Sequence, residues 1–176
     1  MSNYQRSTRE CSVSQLQPEL LTAIREYFQN HDLGDVETEC QLCCETVTES
    51  RAGIGTTPNM QTNWLAGWLE PRADAKEYLA VLLTSQALIW ARSGAEVRAN
   101  GANLQNIQVK PAVSLFSKNT GLVVEGLIYD SKALIRGTIG MGPELAAQKF
   151  YEEVQKAVEK ANPTVKRKLP GWLGGR

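Results

Sequence analysis

The chain has 176 residues, of which 42% are hydrophobic and 22% charged, with 19 Lys and Arg against 19 Asp and Glu. A chain of this length and mix can bury one core with an added element, which excludes a wholly disordered chain and a disulfide-stapled miniprotein. No apolar run approaches the roughly 20 residues that cross a bilayer, and the polar start of the chain shows no apolar stretch of a secretory signal.

In chain order, residues 1–14 read as a flexible N-terminal arm and 15–34 as a helical unit. Within it a helix over 15–30 is expected, because Leu16, Leu20, Ile24 and Phe28 recur every four residues and Leu21 and Tyr27 widen the stripe. Ser14 and Gln17 have capping-box spacing, and Gly34 is a natural stop. Residues 35–162 then read as one domain. It opens with a long strand over 36–48, in which Val36, Thr38, Cys40, Leu42, Cys44 and Thr46 share an inner parity. Glu37, Glu39 and Glu45 fall on the outer parity and make an acidic strand face.

A Gly-, Thr- and Pro-rich loop over 50–62 follows, with only Arg51 as a cation. Trp64, Ala66 and Trp68 alternate as in a strand, although the spacing of Trp64, Leu65, Trp68 and Leu69 also fits a short helix. Residues 78–84 and 87–92 read as a hairpin turning at Ser85-Gln86. Strands at 103–110, 112–117, 122–129 and 133–139 continue an antiparallel meander. A helix over 143–161 closes the domain, with Pro143 in its first turn and Leu145, Ala146, Phe150, Val154, Ala157 and Val158 as the buried stripe. Residues 163–176 form a basic, aromatic tail.

This order makes an α+β domain in which a bent antiparallel sheet or partly open barrel is capped by a C-terminal helix, with an additional N-terminal helix. The run Leu82-Leu83-Thr84-Ser85-Gln86-Ala87-Leu88-Ile89-Trp90 resembles the bacterial pleckstrin-homology-like domain family, in which a strand ending in Leu-Thr makes a tight turn into a second apolar strand. The segment Leu104-Gln105-Asn106-Ile107 is similar to the polar-framed stretch before that family's next strand, and the terminal helix with Phe150 and Tyr151 resembles its plugging helix. The resemblance covers about 36–161, so the helix at 15–30 is an addition. It implies a binding or scaffolding module. A specific inositol-phosphate site in the loop over 50–62 is disfavoured, since relatives that bind such groups use several cations where this loop has Arg51.

Enzyme signatures are scarce. His31, the single histidine, sits at the expected end of a helix, where capping is its expected role. Cys40-Gln41-Leu42-Cys43-Cys44 contains a C-x-x-C, which invites a redox or zinc reading. On a regular strand Cys40 and Cys44 point one way and Cys43 the other, which spoils a shared tetrahedral site; Cys40 and Cys44 are expected as small core residues. Gly53-Ile54-Gly55 lacks the remaining residues of either phosphate-binding glycine motif. No cofactor, metal or catalytic residue is therefore expected.

Charge is unevenly spread. Residues 1–50 carry 3 basic and 9 acidic side chains, 51–141 carry 9 and 6, and 142–176 carry 7 and 4. The absence of a dominant basic surface argues against a nucleic-acid binder. The tail residues Lys166, Arg167, Lys168 and Trp172 suit an acidic protein patch or peripheral contact with anionic lipid. The expected function is a non-enzymatic, cytoplasmic interaction or scaffolding module that binds protein or self-associates, its surface combining the tail with the acidic strand face. The alternative is a carrier or chaperone whose bent sheet encloses a small apolar ligand or lipid near Trp64, Trp68 and Trp90.

Overall fold

Alternate side chains of the apolar hairpin at residues 78–91 all need cover, and the fold supplies a helix on each side. The computed structural model describes residues 4–50, 76–94, 96–112, 120–128 and 134–163. They form seven strands: β1 (Tyr4–Glu10), β2 (Cys40–Ser50), β3 (Lys76–Thr84), β4 (Ala87–Arg92), β5 (Arg98–Pro111), β6 (Thr120–Ile128) and β7 (Leu134–Met141). Helices α1 (Pro18–Asn30) and α2 (Val36–Glu39) lie between β1 and β2, and α3 (Leu145–Ala161) follows β7. Every strand pairs antiparallel with its sequence neighbour, in the order β1 to β7, and the sheet curls into a half-barrel. The fold is thus α+β, with a C-terminal helix in the curl and an N-terminal helix outside it.

The curl is filled by α3. Phe150, Val154 and Val158 meet Leu79, Val81 and Leu83 of β3, Leu88 of β4, and Leu122 and Val124 of β6 in one buried cluster. On the opposite face Leu20, Ile24, Tyr27 and Phe28 of α1 pack on Ala80, Leu82, Ala87, Ile89 and Ala91. Small side chains on this face form a trough that lets α1 approach closely. Gly101 completes it: a Cβ there would stand 3.0 Å from the Tyr27 ring.

Local chemistry explains the turns. Thr84 Oγ1 accepts from the backbone N–H of Gln86 at 3.2 Å and Ala87 at 2.9 Å, so the β3–β4 hairpin turns without glycine. Helix α1 ends in a Schellman motif: Leu33 N–H reaches Phe28 O at 3.0 Å and Asp32 N–H reaches Gln29 O. Asp32 takes the left-handed conformation itself, at φ 52°. His31 serves this helix end as expected, with its Nδ1 2.8 Å from Tyr27 O and its ring stacked on Tyr27. Strand β5 bends where its register slips between Ala102 and Ile107, sending Leu104 and Ile107 into the α3 cluster. Gly126, at φ 154°, faces that slip, and a Cβ would come within 2.1 Å of Asn106 O.

Several sequence expectations are corrected. The arm over 1–14 contains β1, paired along its length with β2, because a polar strand gains order from a ladder with a distant segment, which local periodicity does not reveal. The helix expected over 15–30 begins at Pro18, after a 3-10 turn at Val13–Gln15 whose capping box uses Ser12 and Gln15 instead of Ser14 and Gln17. The strand expected over 36–48 begins at Cys40; residues 36–39 wind into α2, capped by Asp35 accepting from Thr38 N–H at 3.1 Å. Leu145 is 81% exposed and Ala147 takes its place in the core. The reason is spacing: Leu145, five residues before Phe150, falls roughly 140° around the helix from it, whereas Ala147, three residues before, shares its face with Val154 and Val158. The strand or helix expected around Trp64 and Trp68 lies outside the described residues, as does most of that over 112–117.

Ile24 has no exposed surface and sits at the centre of the α1 contact. Ile24→Asp should cost roughly 4 kcal/mol by burying an unpaired carboxylate. Thermal unfolding followed by circular dichroism checks this; an unchanged melting temperature would mean that α1 does not hold the sheet.

Candidate functional site: a thiol-lined cleft at the β1–β2 end

With both sheet faces covered by helices, concave surface with reactive groups is found at the rim, where β1 ends and β2 begins. An open cleft of about 320 Å³ lies there, lined by Glu10, Cys11, Glu37, Cys40 and Cys43 among others. One buried carboxylate holds together the segments that border it. Glu45 of β2 is 2% exposed and accepts from Arg9 at Nε (3.1 Å) and Nη2 (2.7 Å) and from the Gln17 N–H at 3.0 Å. Gln17 is the residue before α1, so this carboxylate satisfies one of the helix's orphan donors and favours its positive end. Arg9 Nη2 also donates to Gln15 O at 3.1 Å. The guanidinium, held by the Glu45 hydrogen bond and charge, has its pKa raised. One side chain therefore ties β1, the 3-10 turn and α1 to β2.

The second determinant is a bulge. The β2–β3 register shifts between Cys40 and Leu42, so the parity of β2 changes there. Leu42 and Cys44 face α3, whereas Cys40 and Cys43 both face the α1 side. This corrects the expectation that Cys40 shares a face with Cys44. Cys11 directly follows β1, and its N–H donates to Cys43 O at 3.1 Å. Its Sγ stands 3.9 Å from that of Cys43, and Cys40 lines the same cleft. Three thiols from two chain segments thus meet in one cleft, with Cys11 and Cys40 partly accessible and Cys43 buried. Hydrogen bonding to Cys11 and Cys40, together with burial, pushes the Cys43 thiol far up. The Cys11 and Cys40 thiols are lowered, in each case chiefly by the hydrogen bond with Cys43. Among the described residues, no group of three or more His, Cys, Asp and Glu side chains is disposed to hold a metal ion.

The sequence-derived acidic face is dispersed. Glu37 is on α2, exposed and paired with Arg25. Glu39 ends α2 and packs beside Gly34, while Glu45 is buried on Arg9. The helical turn at 36–39 and the ladder with β1 are the physical causes. Of the three, Glu37 borders the cleft. The tail residues Lys166, Arg167, Lys168 and Trp172 lie outside the described residues. Trp90, offered above for an apolar cavity, packs partly buried against the α3 cluster. Cys11 was missed as a member of the cleft because its partners lie some thirty residues away and β1 was not expected.

Comparison with protein-family models, with curated proteins and with solved structures found no match.

Two outcomes are expected. Glu45→Ala should destabilise by about 2–3 kcal/mol, through the loss of three hydrogen bonds and their buried acceptor; Glu45→Gln should recover part of this, read by urea unfolding. Cys44 packs under α3, its Sγ 3.8 Å from Ala146 O, and burial pushes its thiol up to about 12 from 9.0. Above pH 9 the unfolded chain loses this proton while the folded chain keeps it, so stability falls as pH rises from 9 towards 12, by at most about 1.4 kcal/mol per pH unit. Cys44→Ala should flatten that alkaline slope in denaturant titrations.

Proposed function

We propose that this chain is a non-enzymatic cytoplasmic interaction module with a pleckstrin-homology-like core, which binds protein and, in the first instance, a second copy of itself. The supporting observation is the double cover of the sheet. Helix α1 occupies its outer face and α3 its curl, so binding falls to the rim and the tail. A carrier would need space inside the curl, and Phe150, Val154 and Val158 occupy it with less than 3% exposure each.

The charge pattern suggests how copies meet. The acidic first fifty residues supply Glu10 and Glu37 at the cleft rim, and the tail supplies Lys166, Arg167, Lys168 and Trp172. Opposite charges on two ends of one chain favour head-to-tail association with salt sensitivity. Trp172 would add the apolar anchor that such ionic contacts lack. The same cations could meet an anionic membrane, although three charges with little apolar area bind lipid weakly.

Light scattering of the full chain across a concentration series tests the reading. An oligomer is expected that weakens as salt rises and is lost in the combined variant Lys166→Ala, Arg167→Ala, Lys168→Ala and Trp172→Ala. A monomer at every concentration would overturn self-association, and an unaltered oligomer in the variant would remove the tail from it.

A further inference from the structure

The self-association just described uses carboxylates at the cleft rim, whereas the chemistry of the three thiols that line the cleft stands independently of that reading. We propose that Cys11 and Cys43 form a thiol–disulfide exchange site that reacts with small disulfides such as glutathione disulfide, closing a reversible covalent bond between β1 and β2.

Geometry carries the inference. The β1–β2 register runs to Glu10 opposite Cys44, so Cys11 falls directly opposite Cys43, joined by the backbone hydrogen bond at 3.1 Å. Opposed residues of a hydrogen-bonded pair have Cα atoms about 5.5 Å apart, within the span of a disulfide. The two sulfurs, 3.9 Å apart, close to a bond of about 2 Å by side-chain rotation and a small shift of the chain just after β1. Access is graded: Cys11 is partly exposed at the cleft and Cys43 is buried behind it. A small disulfide therefore reaches Cys11 first. The lowered thiol of Cys11 supports this order, since thiolate is the attacking form.

The steps balance. Cys11 thiolate attacks one sulfur of glutathione disulfide; an S–S bond to glutathione forms, the original S–S bond breaks, and one glutathione thiolate leaves. The Cys43 sulfur, giving up its proton, then attacks Cys11 Sγ and expels the second glutathione thiolate. The two protons lost by Cys11 and Cys43 end on the two glutathione molecules, which take the two electrons. The bridge reopens by the reverse sequence, in which one glutathione thiolate attacks Cys11 Sγ and a second attacks the mixed disulfide, leaving as glutathione disulfide. The bulge in β2 is what brings Cys40 to the same side of the sheet as Cys43. Cys44, on the opposite face of the sheet under α3, takes no part.

The full chain is equilibrated in buffers of reduced and oxidised glutathione, quenched with acid, unfolded, alkylated and mapped by mass spectrometry without reduction. Free thiols are expected to fall from four to two, with fragmentation assigning one intrachain link between Cys11 and Cys43. Four free thiols at every ratio would overturn the proposal. So would a link that includes Cys44, a link between Cys40 and Cys43 in place of Cys11, or a product that stops at a glutathione adduct. The map of the unsubstituted chain decides this without any variant. Cys11→Ser, at a partly exposed position, should keep its three remaining thiols free in the same buffers; loss of two of them at the same glutathione ratio would overturn the role of Cys11.

Discussion

A carboxylate buried at 2% exposure organises the N-terminal third of this protein. Glu45 gathers the guanidinium of Arg9 and the backbone N–H that precedes α1, so the first strand, the turn after it and the first helix meet at one acceptor. Burying a charge is costly unless its hydrogen-bonding capacity is used, and here both oxygens are engaged. Because α1 is pinned at its start by Glu45 and stopped by the Schellman motif at Asp32, its apolar stripe can fall only on the trough of small side chains over β3 and β4. The cleft of three thiols is a by-product of the same constraint, since the turn that leads from β1 to Glu45's partners carries Cys11.

The far end of the sheet is secured differently. Thr8 on β1 shares a 2.8 Å hydrogen bond with Thr46 and accepts from the Gly142 N–H at 2.7 Å, while its own N–H donates to Glu144 at 2.9 Å. These bonds join the first strand to the turn between the last strand and α3. Lys149 of α3 adds an ion pair to Glu10. An edge strand with few apolar residues is thus tied by polar groups to both ends of the meander, and the half-barrel keeps its curl around α3. With both faces covered by helices, the open cleft lies at the rim.

Much of this was legible in the residues. The apolar run through the β3–β4 hairpin, the four-residue spacing in α1 and the closing helix announce themselves through periods of 2 and 3.6. The site was less legible. Three acidic residues in alternation suggested one strand face, yet Asp35 caps a helical turn that removes Glu37 and Glu39 from the strand, and β1 covers Glu45. A capping residue four positions earlier outweighed an alternating pattern, because local side-chain to backbone bonds compete with ladders.

The sequence by itself determined the antiparallel meander and the two amphipathic helices, since periodicity acts along neighbouring residues. Only the tertiary structure decided which way Cys40 points and that Cys11 lies opposite Cys43. Parity arguments hold only while pairing is regular, and the slip between Cys40 and Leu42 reverses them in β2. A bulge is an agreement between two strands about register, so it is written in neither strand alone.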